Sequence, residues 1–227
     1  DPATGELTEG FRETGFLPEA FINLLAVLGW NDGTEQEIFT KAEMIGKFSL
    51  ERIHSGGAKF DYEKAKWFNH EWIKRLSAAA LRQEVKPVLL KKGIDIPDEH
   101  QLDKVIALIK DRCQLLNDFV EQGYFFFSVP EKFDVEAVKP KWNEAKQLFF
   151  AELVRHFELI SSWNEHALES EFKEMAAVHK IKPGELLLPF RIMLVGGKFG
   201  PGVFPVAELL GKQETISRIK HFLELLK

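Results

Sequence analysis

The 227-residue chain carries a formal net charge of −5 and 45% hydrophobic side chains, enough apolar content to build packed cores. No apolar run approaches the roughly 20 residues of a membrane span, and no signal peptide opens the chain, so we expect no membrane association. Cys113 is the single cysteine, which excludes an internal disulfide and a zinc site built from cysteines. A reducing, cytoplasmic location is the natural interpretation.

The charge is unevenly distributed along the chain. Residues 1–76 carry 9 basic and 13 acidic side chains, whereas residues 127–227 carry 14 of each. Binding to nucleic-acid phosphates depends on cations, and no dominant basic stripe is present. Composition alone therefore ranks RNA binding low, although local patches on an acidic protein can hold a large RNA.

Helix signals recur along the chain with short breaks, and strand alternation is nearly absent, which predicts an all-α fold. Thr40 with Glu43, and Ser162 with Glu165, fit the capping box that starts a helix. The predicted helices run over Pro18–Leu28, from Thr40, and over Asp61–Arg75, Ser77–Lys92, Gln101–Val120, Pro140–Ile160, Asn164–His179, Pro189–Val195, Phe204–Leu210 and Thr215–Leu226.

The segment GFLPEAFINLLAVLGW, Gly15 to Trp30, followed at once by NDGTEQEIF, resembles the segment just after the second catalytic signature of glutamyl-tRNA synthetases. The resemblance to the bacterial type of that family continues along the whole chain, through Thr40–Phe48, Ala58–Asp61, Lys66–His70, Val85–Pro87 and Glu208–Lys212. It covers the C-terminal part of such an enzyme.

The resemblance implies a domain order and a set of partners. Residues 1–76 resemble the stem-contact fold, which touches the inner corner of the tRNA. Residues 77–126 and 127–227 resemble the two subdomains of the α-helical anticodon-binding cage, meeting near Gly123 to Pro130. The implied partners are tRNA(Glu) and a catalytic domain that precedes this piece in the same monomeric polypeptide. ATP and Mg²⁺ belong to that domain, and no motif here requires a cofactor or metal.

The family's two adenylate-forming signatures, His-Ile-Gly-His and the loop resembling Lys-Met-Ser-Lys-Ser, are absent from this sequence. His54 precedes Ser55, Gly56 and Gly57, a pattern that indicates a turn. The chain also opens at Asp1 without a methionine, which we interpret as the start of a piece. We therefore expect no catalytic residue here and no glutamate activation by the chain alone.

Arg112 is the first candidate for RNA contact. On a helix over Gln101–Val120 it lies in the middle of an apolar face formed by Val105, Leu108, Ile109, Leu115, Leu116 and Phe119. A guanidinium there must be paired, for instance with Asp118 or Glu121, or must leave the core toward a ligand. The resemblance implies the latter, because the family places on this helix an arginine that reads the last anticodon base, a cytosine.

Arg191 is the second candidate, as the only charge within Leu186–Val195. An ion pair, for example with Glu185, is the structural alternative. The resemblance implies instead that Arg191 faces the anticodon and that Gly200, Pro201 and Val203 of the following loop contact splayed bases. Gly200 stands where some relatives carry a hydroxyl residue, so a side-chain hydrogen bond is lost there or moves to the main chain.

Other interpretations of these features carry less weight. The loop Gly196–Phe204 is a poor phosphate cradle, because Pro201 has no N–H and Lys198 precedes Phe199 rather than Ser or Thr. The cluster Tyr124–Phe127 indicates packing at the subdomain seam. The alternative function is a helical scaffold or protein-interaction module in which Arg112 and Arg191 are buried structural ions. The hypothesis of an independent enzyme is not supported by any set of catalytic residues in the sequence. Exposure of Arg112 and Arg191 on one concave face would favour RNA recognition, whereas burial of both in ion pairs would favour the scaffold.

Overall fold

The computed structural model describes residues 9–54, 56–57 and 59–226, and within them it is built from α-helices and short 3₁₀ turns. Apart from one isolated antiparallel bridge between Trp30 and Ile53, these residues form no β-structure. The predicted all-α fold is confirmed. The helices are α1 (Phe11–Thr14), α2 (Pro18–Gly29), α3 (Lys41–Lys47), α4 (Tyr62–Arg75), α5 (Ala78–Lys91), α6 (Glu99–Ile109), α7 (Asp118–Gly123), α8 (Glu144–Leu159), α9 (Glu165–Val178), α10 (Pro183–Val195), α11 (Val203–Leu210) and α12 (Lys212–Leu225).

The chain divides into two compact units, one running through Gln122 and the other beginning at Gly123. The sequence-based boundaries after residues 76 and 126 stay predictions. Ser55 and Ala58 fall outside the described residues. Part of the turn predicted after His54 therefore lies outside them as well.

The core of the first unit forms where α2 packs on α4. Asn23 of α2 is fully buried, and its side-chain oxygen accepts hydrogen bonds from the Phe39 N–H at 3.0 Å and the Trp72 indole at 3.1 Å. Its amide donates to the Glu37 carbonyl at 2.9 Å. One amide side chain thus ties α2, α4 and the segment before α3 together, because each of its groups has a buried or half-buried partner.

Most predicted helix starts in the first unit are confirmed. The Thr40–Glu43 capping box is present at α3, Asp61 caps α4 through the Lys64 N–H, and Ser77 caps α5 through the Ala80 N–H. These residues satisfy orphan N–H groups of the first turn, and this local chemistry can be read directly from a sequence.

The prediction of one helix over Gln101–Val120 is wrong. Helix α6 ends at Ile109, a 3₁₀ turn follows over Lys110–Arg112, and α7 begins only at Asp118. Between them the Asp118 carboxylate accepts the N–H groups of Gln114 and Leu115 at 2.7 and 2.9 Å. A short acidic side chain that binds nearby backbone in this way competes with the helix, which explains the break.

In the second unit the predicted start at Asn164 is confirmed, one predicted capping box is wrong, and the starts of α8, α10 and α12 differ from prediction. Asn164, rather than Ser162, caps α9 by accepting the Ala167 N–H, so the predicted Ser162–Glu165 capping box is wrong. Helix α8 begins at Glu144 behind Asn143, because Pro140 lies in a separate 3₁₀ turn. Helix α10 begins at Pro183, which leaves Pro189 inside the helix. In α10 the first proline takes the N-terminal position that proline favours.

The second unit packs around phenylalanine rings from α8, α9, α10, α11 and α12. Phe172 stacks on Phe190 with ring centroids 5.3 Å apart, and Phe149 meets Phe172 edge to face at 5.2 Å. The buried rings of this cluster are those of Phe149, Phe150, Phe157, Phe172, Phe190, Phe204 and Phe222. This core fixes α10 and α11, and with them the loop that joins the two helices.

Candidate nucleic-acid interface

A buried polar network holds the turn that carries Arg112. Asn69 of α4 is fully buried; its side-chain oxygen accepts the Leu17 N–H at 2.7 Å, and its amide donates to the Gln114 carbonyl at 2.6 Å. His70 Nδ1 lies 2.8 Å from the Cys113 carbonyl. A carbonyl can only accept, so Nδ1 is the donor in this contact. The backbone directly after Arg112 is therefore fixed to α4 by two neighbouring side chains.

The chain near Gly15 completes this network. The Leu116 N–H donates to the Gly15 carbonyl at 2.9 Å. Gly15 adopts φ +97°, and a Cβ there would lie 2.9 Å from the backbone nitrogens of Leu116 and Asn117. Only glycine permits both the left-handed backbone and this close approach.

Arg112 itself is exposed at the end of the 3₁₀ turn, so its predicted place on a buried apolar face is wrong. The helix breaks before that face can form. Lys110 of the same turn points elsewhere, donating to the carbonyls of Lys74 and Leu76 at the end of α4 at 2.8 and 2.9 Å. Among the described residues, no ion pair joins Arg112 to Asp118, Glu121 or another carboxylate. Its guanidinium is available to a ligand.

Cys113, next to Arg112, shows how sharply the environment changes at this point. It is fully buried, and its Sγ lies 3.4 Å from the Ile109 carbonyl. Burial raises the pKa of the Cys113 thiol well above its usual range. We expect a thiol that stays protonated in this way to be unreactive while the unit is folded.

Arg191 lies on α10 and is half-buried. Its Nη1 donates to the Pro201 carbonyl in the following loop. A Cβ at Gly200 would lie 3.4 Å from the same Nη1, and Gly200 has φ +150°, a conformation that L side chains rarely adopt. Arg191 thus shapes the loop, and Gly200 suits the backbone that the loop requires.

The loop between α10 and α11 turns most of its predicted contact residues inward. Gly200, Pro201 and Val203 are all buried, with Val203 only 5% exposed. The exposed residues of this loop are Lys198, Phe199 and Gly202, and Gly197 is half-buried. Any base that approaches the loop as it stands meets these residues first.

Arg218 of α12 is the buried arginine that sequence reasoning missed. It is 3% exposed, donates to the carbonyls of Leu194 and Ser128, and pairs with Glu214 at 2.7 Å. Burial lowers the pKa of Arg218, while the Glu214 partner opposes that shift. The spacing of Glu214 and Arg218, one helical turn apart, is a sequence signal that could have identified this pair.

The described residues contain no group of three or more His, Cys, Asp or Glu side chains that could hold a metal ion. None of the helices described is both long and apolar enough to cross a bilayer.

The sequence of this chain matches the family model of the anticodon binding domain over residues 63–223. The chain belongs to this anticodon-binding family. A second model, the catalytic domain of class I tRNA synthetases (E and Q), matches residues 5–67. The two matches meet within α4, the helix that carries Asn69 and His70.

Relatives of this family member are similar to it along its whole length. It is 39% identical over 227 residues to the glutamate–tRNA ligase of Christiangramia forsetii, covering 100% of this chain and 45% of that protein. It is also 39% identical over 228 residues to the glutamate–tRNA ligase of Porphyromonas gingivalis, of which it covers 44%. The resemblance to glutamyl-tRNA synthetase is confirmed. The chain spans a little under half the length of these relatives.

Two solved structures are similar to this chain over nearly its whole length. A glutamate tRNA ligase from Elizabethkingia meningosepticum, in complex with its amino acid, superimposes with a TM-score of 0.90 at 38% identity, over 100% of this chain and 45% of that one. The glutamate-tRNA synthetase of Elizabethkingia anophelis gives 0.84 at 38% identity, over 99% and 44%.

Proposed function

We propose that this chain is the tRNA-recognition part of a glutamate–tRNA ligase. It binds tRNA(Glu) through the inner corner and the anticodon, and it supports ATP-dependent attachment of glutamate by a catalytic domain that precedes it in the same polypeptide. ATP and Mg²⁺ are the cofactors of that domain. The whole enzyme acts in the cytoplasm as a monomer.

The observation that carries this proposal is the environment of Arg112. Its guanidinium is exposed, while the backbone on its C-terminal side is fixed by the buried Asn69 and by His70. Cytosine presents a ring nitrogen and a carbonyl as acceptors on its pairing edge, and a planar guanidinium offers two parallel donors to such a pair. A cation held in this way suits reading a single unpaired base.

The scaffold alternative treats Arg112 and Arg191 as buried structural ions, and Arg191 is half-buried and donates to the Pro201 carbonyl. Arg112 is exposed, and Arg218 is the arginine whose guanidinium is sealed against backbone carbonyls. The structural role that the alternative assigns to Arg112 belongs to a different residue. The exposed position of Arg112 therefore supports RNA recognition.

The proposal is tested by titrating the purified chain with fluorescent anticodon stem-loop hairpins and following anisotropy. We expect the glutamate tRNA hairpin to bind more tightly than one from an unrelated tRNA. The net charge of −5 and the absence of a basic stripe mean that few phosphates are neutralised. The slope of log K against log salt should be only about −2 to −3, as for two or three phosphate contacts.

Equal binding of the two hairpins at moderate salt would contradict specific anticodon recognition. A control in which only the stem sequence changes should bind as the glutamate hairpin does, because the bases that are read are unpaired.

A further inference from the structure

The side chain of Phe199 is 84% exposed, far more than any other phenylalanine in the described part of the chain. The next most exposed, Phe48, is 54% exposed and contacts the Trp30 ring. Phenylalanine is among the residues most often buried, so leaving a ring almost bare is unusual. Phe199 also makes no ring contact with another described aromatic residue.

The loop that presents this ring is held on both sides. On one side the Asp134 N–H donates to the Gly196 carbonyl at 2.8 Å, and Lys198 lies 3.3 Å from the Asp134 carboxylate. On the other side Arg191 binds the Pro201 carbonyl. Phe199 therefore extends into solvent from a loop that is fixed by contacts to its own unit.

The chemistry around the ring favours one class of ligand. Protein interfaces need a contiguous apolar patch of some hundreds of Å², whereas the neighbours of Phe199 in the loop are the exposed Lys198 and the buried Gly200. A bare flat ring matches the face of an unpaired base, whereas the ammonium of Lys198 is already paired with Asp134.

We propose that Phe199 is a stacking platform for one unpaired base of the anticodon loop. This proposal rests on the proposed function and adds a residue to it. Stacking accepts every base, because each base has a π face. Phe199 thus adds affinity, and the discrimination between bases comes from other groups.

The test compares three variants of the chain in hairpin titrations. Phe199→Ala should weaken binding of the glutamate hairpin by about 5- to 150-fold, the range that one stacked base supplies. Hairpins with a substituted anticodon base should weaken by the same factor, and the slope of log K against log salt should not change. Phe199→Trp should bind at least as well as the wild type. Leu159→Ala removes a side chain that is 85% exposed at the end of α8 in the same unit, and it should have no effect.

Wild-type affinity in Phe199→Ala, or a loss that Leu159→Ala reproduces, would overturn the stacking role and leave the ring to a protein partner. A loss that falls on only one base would also overturn it, because that result indicates direct reading. These failures differ from failure of the proposed function, in which the wild-type chain itself would not distinguish the glutamate hairpin from an unrelated one.

Discussion

Two arginines of this chain have opposite environments, and residue type alone does not distinguish them. Arg112 is exposed beside a buried cysteine, whereas Arg218 lies in the core with its guanidinium bound to backbone carbonyls. An arginine cannot shed its charge, so its surroundings decide whether it stabilises the fold or meets a ligand.

Removing Arg218 should destabilise the second unit. Arg218→Leu leaves the Leu194 carbonyl without this donor and also breaks the pair with Glu214, so we expect a loss of about 2 to 4 kcal/mol in the free energy of unfolding. Arg155 of α8 is exposed, and Arg155→Leu should change stability by less than about 0.5 kcal/mol. Urea denaturation of both variants measures the difference, and equal midpoints would argue against a structural role for Arg218.

Asp32 should titrate at unusually low pH. The hydrogen bond from Lys47, at 2.7 Å, lowers the pKa of Asp32 to about 2, and Thr34 adds to the shift. A carboxylate with a lowered folded-state pKa contributes stability above its unfolded-state pKa, and that contribution disappears as the pH falls toward 2. The carboxyl-carbon NMR shift of Asp32 should give a midpoint near this value, and Lys47→Met should raise the midpoint. Lys64→Met, which breaks a pair with Glu37 instead, should leave it unchanged; no difference between the two variants would refute the assigned cause.

At the level of elements, the parts that could be predicted are those set by short-range chemistry. Asp61 and Ser77 each bond an N–H three residues on, and that contact is written in the local sequence. The break after α6 depends only in part on such local contacts, those of the Gln114 and Leu115 N–H groups with Asp118. There the carbonyls of Cys113 and Gln114 bond to side chains of α4, more than 40 residues away in the chain. Helical periodicity cannot detect such distant partners, so it predicts the wrong surface for Arg112.

The candidate site was predictable to a similar extent. Arg112 stands out as a charge on a predicted apolar face and Arg191 as a charge in an apolar run, but the inward orientation of Pro201 and Val203 depends on the packing of α10 and α11. Phe199 gave no signal, because one phenylalanine among twenty is expected to be buried.

The turn that carries Arg112 should depend more strongly on Asn69 than on any other side chain. Asn69→Ala leaves the buried Leu17 N–H and the Gln114 carbonyl without their partner, so we expect a loss of about 2 to 4 kcal/mol in unfolding free energy. The freed turn should also expose the Cys113 thiol to Ellman's reagent, whereas in the wild type we expect the buried thiol to be protected. Asn31→Ala, at an exposed position of the same unit, is the control and should leave the thiol protected. A protected thiol in Asn69→Ala would show that other contacts hold the turn.

Over the whole molecule, the family matches and the compact units divide the chain differently. The anticodon-binding match begins at residue 63, whereas the first unit continues to Gln122 and also contains the match to the catalytic domain over residues 5–67. Helix α4 accounts for this, since it packs on α2 and also bonds to the turn after Arg112. The segment expected to touch the tRNA corner and the arginine expected to read its anticodon therefore belong to one compact unit.

The most direct test of anticodon recognition is the base preference of Arg112→Gln, measured with hairpins that carry cytosine or guanine as the last anticodon base. Wild type should favour cytosine by about 1 to 3 kcal/mol, and the variant should lose most of that preference. Its melting temperature and the protection of Cys113 should not change, because Arg112 is exposed. Arg75→Gln removes another exposed arginine of the same unit and should keep the preference for cytosine. An unchanged preference in Arg112→Gln, or a lost preference accompanied by a large drop in melting temperature, would contradict base reading by this residue.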